Sequence, residues 1–182
     1  MTPTETLKHE HQIISLVLDA AEREAGRIQR MKKADARRIG SMLDFFRNFA
    51  DRCHHAKEER LLFARLRERG MPGETGPIAV MLLEHEEGRR RLSAVADALP
   101  GAEKGDAGAL ASVKDNLTVY VDLLRSHIRK EDGVLYPKAD ALLTSQDQEE
   151  LAAAFETIEA REMGEGTHEK YHELAHRLAG EQ

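Results

Sequence analysis

The chain has 182 residues and a formal net charge of −6, with 33% charged and only 4% aromatic residues. This length suits one domain with a substantial core, and the acidic balance disfavours nucleic-acid binding, which needs a basic face. No apolar run approaches the ~20 residues that a membrane span needs, one cysteine cannot form an internal disulfide, and the N-terminus lacks the pattern of a secretion signal, so we expect a cytoplasmic protein that does not bind membranes.

Apolar residues recur at helical spacing along most of the chain and predict four long helices. The predicted helices cover about residues 3–31, 36–69, 77–100 and 106–137. A capping box of Thr2 and Glu5, with Pro3 at the first helical position, marks the first start. Pro100 is expected to end the third helix, and Pro137 to kink or break the fourth. Four helices with short links predict an all-α, up-down-up-down antiparallel four-helix bundle over residues 1–142.

Residues 143–182 are predicted to form a C-terminal helical extension that packs on the bundle. Ser145, with Gln148 three residues later, is typical of an N-cap, and Gly164-Glu165-Gly166 is expected to break the extension. The last helix carries three histidines at four-residue intervals, His168, His172 and His176. Two interpretations stay open: a polar surface helix, or a helix whose His168 or Glu169 covers an open metal coordination position.

A motif of histidine followed four residues later by glutamate occurs twice. The first copy is His54 with Glu58, and the second is His127 with Glu131. Residues four apart lie on the same face of a helix, so each motif aims an imidazole and a carboxylate at one point. Two copies are what a two-metal site needs, and repeats of this kind seldom arise by chance.

An amphipathic segment carrying the dipeptide Glu-His precedes each motif and contributes His11 and His85. Inward-facing side chains on four antiparallel helices can converge at one level, giving four histidines and two glutamates. The predicted metal ligands are His11, His54, Glu58, His85, His127 and Glu131. These nitrogen and oxygen donors suit iron, manganese or zinc, and the lack of a thiolate set excludes an iron–sulfur cluster. If both glutamates bridge and an oxo or hydroxo group adds a fifth ligand, each octahedral ion keeps one open position.

A second pair at the same spacing, His55 and Glu59, is rotated by about 100° around the helix. Register against the downstream motif favours His54 and Glu58 as ligands, and the second pair is then expected to supply outer hydrogen-bond partners. Lys57 and its counterpart Lys130 are expected to face solvent.

Four other residues could have either a structural role or a role at the metal site. Cys53 is expected to be a small core residue, although thiol chemistry near metals stays open. Tyr136 could bring a hydroxyl to the site, but a plain core aromatic is favoured. His9 lies on the far side of the first helix from His11 and is expected to be solvated. Gly88 fits either a crowded metal centre or a close helix crossing.

Two phrases carry a resemblance to a known family: Leu-Lys-His-Glu-His-Gln-Ile-Ile at the first histidine and His-Ile-Arg-Lys-Glu-Asp-Gly-Val-Leu-Tyr-Pro at the last. With the order of the motifs, they resemble the hemerythrin-like HHE cation-binding family over about residues 5–142. The resemblance implies a four-helix bundle around two non-heme iron ions with an oxo or hydroxo bridge. It also implies that the same six residues are the ligands and that both glutamates bridge.

Three departures from the family pattern bear on function. Oxygen-carrying members have an extra histidine one turn before His85, where this chain has Met81, and they use an aspartate five residues after the last histidine, where Asp132 here follows the motif glutamate. The Leu-Phe-Pro expected after the first motif is broken at Ala64. The pattern is similar to family members linked to nitric oxide, peroxide or iron handling, and the missing histidine at Met81 favours reactivity over stable oxygen carriage. The resemblance implies a protein that binds a small diatomic ligand, O2 or NO, for sensing, storage or detoxification. The alternatives are a di-iron enzyme acting on peroxide or NO, an iron donor for cluster repair, or a protein whose metal, zinc for example, only stabilises the bundle.

Overall fold

The computed structural model describes residues 1–162, 164 and 167–180, and over that part the fold is an all-α helical bundle. Its α-helices are α1 (Pro3–Met31), α2 (Ala36–Phe45), α3 (Phe63–Glu68), α4 (Gly76–Glu103), α5 (Ala107–Lys130), α6 (Tyr136–Leu142), α7 (Ser145–Glu162) and α8 (Thr167–Gly180). Three π-helical segments join some of them: π1 (Phe46–His55), π2 (Glu58–Leu62) and π3 (Glu131–Leu135). Among the described residues, no helix combines the length and apolar character that a bilayer crossing needs.

The predicted helix starts are confirmed where side chains satisfy the free backbone N–H groups of the first turn. Thr2 and Glu5 form the capping box of α1, with Pro3 in the first turn. Asp35 accepts a hydrogen bond from the N–H of Arg38 at the start of α2, and Asp106 caps α5 in the same way.

Two predicted boundaries were wrong. Pro100 does not end the third helix, because α4 continues through it to Glu103. Proline removes one hydrogen bond, but the last turn is closed by the N–H groups of Lys104 and Gly105, and Gly105 turns the chain with φ +83°. The N-cap of α7 is Thr144 and not Ser145: its hydroxyl accepts the N–H of Asp147.

The four bundle helices form a ring in which α1 packs on α2 and α5, and α4 packs on the same two. The core falls into two apolar clusters. One is built around Phe45, Phe46 and Phe49, and the other around Leu7, Leu62 and Leu135. In each bundle helix, the candidate ligands follow residues of one cluster and precede residues of the other. The site is therefore a buried polar layer with an apolar cluster on each side.

Regular α-helix was expected at both motifs, but a π turn follows each one. The backbone carbonyl of Glu58 accepts the N–H of Phe63, and the carbonyl of Glu131 accepts the N–H of Tyr136, each five residues on. Phe63 and Tyr136 occupy matching positions in the repeat, and the next residue is Pro137 in one copy but alanine in the other. Proline alone therefore does not explain the wider turn, and single π turns are frequent at functional sites.

The C-terminal helices pack on the bundle as expected: α8 lies against α1 and α2, and α7 lies against π1 and π2. The hydroxyl of Tyr171 donates to Asp44 at 3.1 Å, and Arg69 donates to the buried Asp147 at 2.8 Å. The predicted break at Gly164–Gly166 falls mostly outside the described residues, although Gly164 itself has φ +79°. The proposed division at residue 142 stays a prediction.

Candidate metal centre

All six predicted ligands meet in the middle of the bundle, and each is at most 2% exposed. They come from α1 (His11), π1 (His54), π2 (Glu58), α4 (His85), α5 (His127) and π3 (Glu131). The described residues show two groups of close potential ligands there, one around His11 and His54 and the other around His85 and His127. The predicted convergence is observed; metal binding by these six residues stays a prediction.

The four histidines form two matched pairs. The Nε2 atoms of His11 and His54 lie 3.0 Å apart, and those of His85 and His127 lie 3.1 Å apart. Both pairs have ring centroids 4.7 Å apart, with the rings inclined at 56° and 59°. Two nitrogens bound at right angles to one ion, each at about 2.1 Å, would lie about 3 Å apart. Each pair thus has the spacing of two adjacent ligands of one ion.

The two carboxylates lie between the pairs. One oxygen of Glu131 is 3.2 Å from Nε2 of His11, and the other is 3.1 Å from Nε2 of His127. Glu58 Oε2 is 3.7 Å from Nε2 of His54 and 3.5 Å from Nε2 of His85. Each carboxylate therefore faces one histidine of both pairs, which is the position of a bridge between two ions.

The unsatisfied oxygen atoms fit a bound cation. Oε2 of Glu58 and both carboxylate oxygens of Glu131 are buried without a hydrogen-bond partner among the described residues. A buried polar atom without a partner costs about 1–3 kcal/mol, and more when it is charged. Metal coordination would satisfy all three oxygens, and imidazole with carboxylate is a donor set that suits iron, manganese or zinc. The residues present thus fit the two-ion centre that the sequence predicts.

Each of the four histidines also has a carboxylate at its other ring nitrogen, Nδ1. The pairs are His11 with Asp132 at 2.8 Å, His54 with Glu10 at 2.8 Å, His85 with Glu59 at 2.7 Å and His127 with Glu84 at 2.9 Å. When Nδ1–H donates to the carboxylate, Nε2 carries the free lone pair and faces the centre. The expected outer role of Glu59 is confirmed by this contact.

Glu10, Glu84 and Asp132 are partners that the sequence analysis did not assign. A signal was available, since the dipeptide Glu-His repeats as Glu10-His11 and Glu84-His85. Each of these glutamates binds the histidine of the following motif and not its own neighbour. These pairings between residues of different helices become visible only when the packing of the helices is known.

The prediction that Lys57 faces solvent was wrong. Its side chain is 0% exposed, and its Nζ donates to Glu10 at 2.5 Å and to Glu159 at 2.9 Å. Lys130 makes the equivalent ion pair with Glu84 but is 37% exposed. The repeat therefore places a lysine behind the carboxylate of each motif histidine, and α7 covers only the first of them.

His55 lies next to the candidate ligands, but its ring is not oriented to bind the same ion as His85. One of its ring nitrogens is within 4.8 Å of potential ligand atoms of Glu58, His85 and His127. Its ring, however, stacks on that of His85 with centroids 3.8 Å apart and planes 15° apart. An ion in the plane of one stacked ring lies outside the plane of the other, so the two rings cannot both direct lone pairs at it. Asp51 holds the Nδ1 of His55 at 3.2 Å.

Tyr136 was expected to be a plain core aromatic, and the structure corrects this. Its hydroxyl donates to Oε1 of Glu58 at 2.7 Å and lies 3.5 Å from Nε2 of His11. Burial and the neighbouring carboxylates raise the pKa of Tyr136 well above its usual value, so the hydroxyl keeps its proton. A hydroxyl donor therefore stands beside the candidate centre.

Charge is distributed unequally between the two carboxylates when no metal is bound. Burial and the nearby charge of Glu131 raise the pKa of Glu58 well above its usual range. Burial opposes ionisation of Glu131, but His127 and His11 lower its pKa well below the usual range. Burial alone would lower the pKa of His127, yet Glu131 and Glu84 raise it to about 9. Because metal ligands must be deprotonated, metal binding would compete with protons at Glu58 and His127.

Three other residues singled out in the sequence are Cys53, His9 and His168. Cys53 is a buried core residue as expected, and burial raises its pKa to about 12, so it stays a thiol. His9 is exposed, as expected. His168 lies 3.9 Å from Glu159, with Lys57 and Glu10 between that carboxylate and His54. The interpretation that His168 covers an open coordination position is therefore wrong, and Glu169 is exposed.

Comparison with known proteins identifies related chains and one family. Two uncharacterized proteins, Rv1995 of Mycobacterium tuberculosis and Mb2018 of Mycobacterium bovis, are each 24% identical to the chain over 165 residues. The matched region covers 91% of this chain but only 64% of each relative, so the chain spans less than two thirds of their length. No solved structure matches the chain. The profile of the hemerythrin HHE cation binding domain matches residues 2–139, and the chain therefore belongs to the hemerythrin HHE cation-binding family.

Proposed function

We propose that the chain holds two iron ions and binds a small diatomic ligand, O2 or NO, at an open iron position for sensing, storage or detoxification. His11 and His54 would hold one ion, His85 and His127 the other, and both carboxylates would bridge. The observation that carries the proposal is the position of Glu131, with one buried oxygen 3.2 Å from one histidine pair and the other 3.1 Å from the second pair.

The number of protein donors favours ligand binding over a purely structural metal. Two imidazoles and two bridging carboxylate oxygens would give each ion four protein donors, and a bridging oxo or hydroxo group would add a fifth. A six-coordinate ion would then keep one position for an added ligand. Met81 lies one turn before His85 on the same face and is buried, and its thioether is a poor donor for such an ion.

An apolar pocket next to the centre supports an uncharged ligand. The pocket has a volume of about 270 Å³, and its lining is Gly76, Pro77, Val80, Met81, Lys130, Val134 and Leu135. Met81 is four residues before His85, and Leu135 is four residues after Glu131, so both lie one helical turn from a candidate ligand. Both side chains line the pocket and are buried.

The hydroxyl of Tyr136 favours a second candidate, a di-iron enzyme acting on peroxide or NO. It is buried, holds its proton and lies 2.7 Å from Glu58. A positioned hydroxyl can pass a proton to a reacting group, which ligand turnover needs and simple storage does not. Iron donation for cluster repair is the remaining alternative, and it would require that the ions leave the buried layer.

Rapid mixing of the reduced, iron-loaded protein with O2, NO or peroxide separates these functions. Reversible binding predicts an absorption change that returns under vacuum, with both irons retained. Turnover predicts repeated consumption of the added molecule, with Tyr136→Phe slowing consumption more than binding. Absence of any spectral change with all three molecules would contradict both functions and leave a structural metal.

A further inference from the structure

A second group of potential metal ligands lies outside the buried centre, where α8 packs on α1. It consists of His9 on α1 and of His168 and His172 on α8, beside Glu159 near the end of α7. His9 precedes His11 by two residues, which places it about 200° around α1 from the buried ligand. The group is therefore separate from the centre described above, and solvent reaches it.

His168 and His172 have the geometry of a chelating pair. They are four residues apart on one helix, so their rings lie on the same face. Their ring centroids are 4.4 Å apart with the planes inclined at 40°, against 4.7 Å and 56–59° for the two pairs of the buried centre. The ring of His9 is 5.9 Å from that of His172, close enough to approach as a third nitrogen donor.

Glu159 offers an oxygen donor beside His168. Its Oε2 accepts from Lys57 at 2.9 Å, and its Oε1 lies 3.9 Å from Nδ1 of His168. Potential ligand atoms of Glu10, Glu159 and His168 lie within 4.8 Å of one another, but Lys57 holds Oε1 of Glu10 at 2.5 Å. The ammonium group fills the space between the two carboxylates, so an ion would bind on the histidine side of Glu159.

His172 has an unsatisfied nitrogen. Its Nε2 is buried and has no hydrogen-bond partner among the described residues. Burial and the neighbouring imidazoles of His168, His9 and His176 lower the pKa of His172, so the ring is neutral at pH 7, the form that binds metals. The nitrogen that lacks a partner is thus available to a cation.

We propose that His168, His172 and Glu159, with His9 beside them, form a second transition-metal site for one divalent ion such as Zn²⁺, Ni²⁺ or Fe²⁺. Imidazole with one carboxylate suits these ions and not Ca²⁺ or Mg²⁺, which prefer all-oxygen sites. Because the exposed His9 and the half-buried His168 border the site, its ion should exchange faster than ions in the buried centre. Its carboxylate contacts Lys57, which contacts Glu10, the partner of His54.

Zinc titration of the iron-loaded protein, followed by calorimetry and elemental analysis, tests the site. The parent is expected to bind one Zn²⁺ per chain while its iron content stays constant. The double variant His168→Asn, His172→Asn should lose more than roughly 100-fold in affinity, since losing even an outer partner of a ligand costs about 10–100-fold. Glu159→Gln should weaken binding less, and His176→Asn, at an exposed position of the same helix, should match the parent.

The comparison of variants stays valid whatever metal fills the buried centre. If that centre holds zinc or a single ion, the outer site is still counted as the difference between the parent and the double variant. The single variant His168→Asn, at a half-buried position, is the control for a folding defect. Its helix content, measured by circular dichroism, should equal that of the parent. Equal zinc binding by the parent and the double variant, or no added zinc in the parent, would overturn the proposal.

Discussion

Lys57 and Glu10 are joined inside the bundle by a 2.5 Å contact between Nζ and Oε1, and Glu10 also accepts from Nδ1 of His54. The lysine is 0% exposed and the glutamate 2% exposed. A buried charge is tolerated only when it is paired and hydrogen-bonded, so the two residues stabilise each other and hold a candidate metal ligand in place.

Replacement of Lys57 by methionine should destabilise the protein strongly. It leaves Glu10 as a buried charge without its lysine partner, and breaking a buried ion pair in this way typically costs about 3–5 kcal/mol. Urea unfolding of the metal-free protein measures the loss. Lys130→Met is the matched control, because Lys130 makes the same pair with Glu84 at a 37% exposed position, where an ion pair contributes about 0–1 kcal/mol. Equal losses in the two variants would contradict the account.

Acid should remove stability through Glu10. Burial opposes its ionisation, but His54 and Lys57 lower its pKa from 4.5 to about 2. A lowered folded-state pKa stabilises the protein above the unfolded value, and that contribution disappears as pH falls from about 4.5 to 2. The shift corresponds to about 3 kcal/mol. Unfolding free energies at pH 6 and pH 3, with Glu10→Gln beside the parent, should show a smaller loss in the variant. A parallel fall in both would argue against a charged Glu10.

Glu58→Gln should separate metal binding from folding. The raised pKa of Glu58 favours its protonated form in the metal-free protein, and glutamine preserves the shape of that form and the hydrogen bond from Tyr136. We expect the unfolding free energy to change by less than about 1 kcal/mol, in the range of substitutions without a major packing or charge defect. Iron content should fall from two per chain to one or fewer. Glu59→Gln, which alters the carboxylate that holds His85 and Arg89 but none of the six candidate ligands, should keep iron but bind it about 10–100-fold more weakly.

Replacement of two glycines of α4 by alanine should change the stability of the protein in opposite directions. A Cβ at Gly88 would lie 3.4 Å from Cε2 of Tyr120, an ordinary contact, so Gly88→Ala should gain up to about 1 kcal/mol of helix propensity. A Cβ at Gly101 would lie 2.9 Å from the Cβ of Ala109, which is too close, so Gly101→Ala should destabilise. Thermal unfolding of both metal-free variants measures the difference. Of the two sequence interpretations of Gly88, the structure supports the close helix crossing with Tyr120.

The sequence was sufficient for the fold and for the convergence of the six candidate ligands, because both follow from periodicity along single helices. Helical spacing set the bundle, and the duplicated motif set the register of His54 and Glu58 against His127 and Glu131. Capping residues such as Thr2 and Asp35 act locally and were also correct.

What the sequence did not predict depends on contacts between elements. Lys57 is buried because α7 and Glu159 cover it, while its counterpart Lys130 stays half exposed. The hydroxyl of Tyr136 reaches Glu58 across the bundle, and Glu10 and Glu84 serve histidines on neighbouring helices. Proline does not account for the π turns, because both copies of the motif have one and only one copy is followed by a proline.

Metal content and iron spin coupling, measured together on the parent and on Glu131→Ala, test the central claim most directly. The account predicts two spin-coupled irons per chain in the parent, and loss of the pair in the variant with most of its helix content retained. Zinc, one metal per chain, or two irons retained after removal of Glu131 would contradict a di-iron centre bridged by that carboxylate.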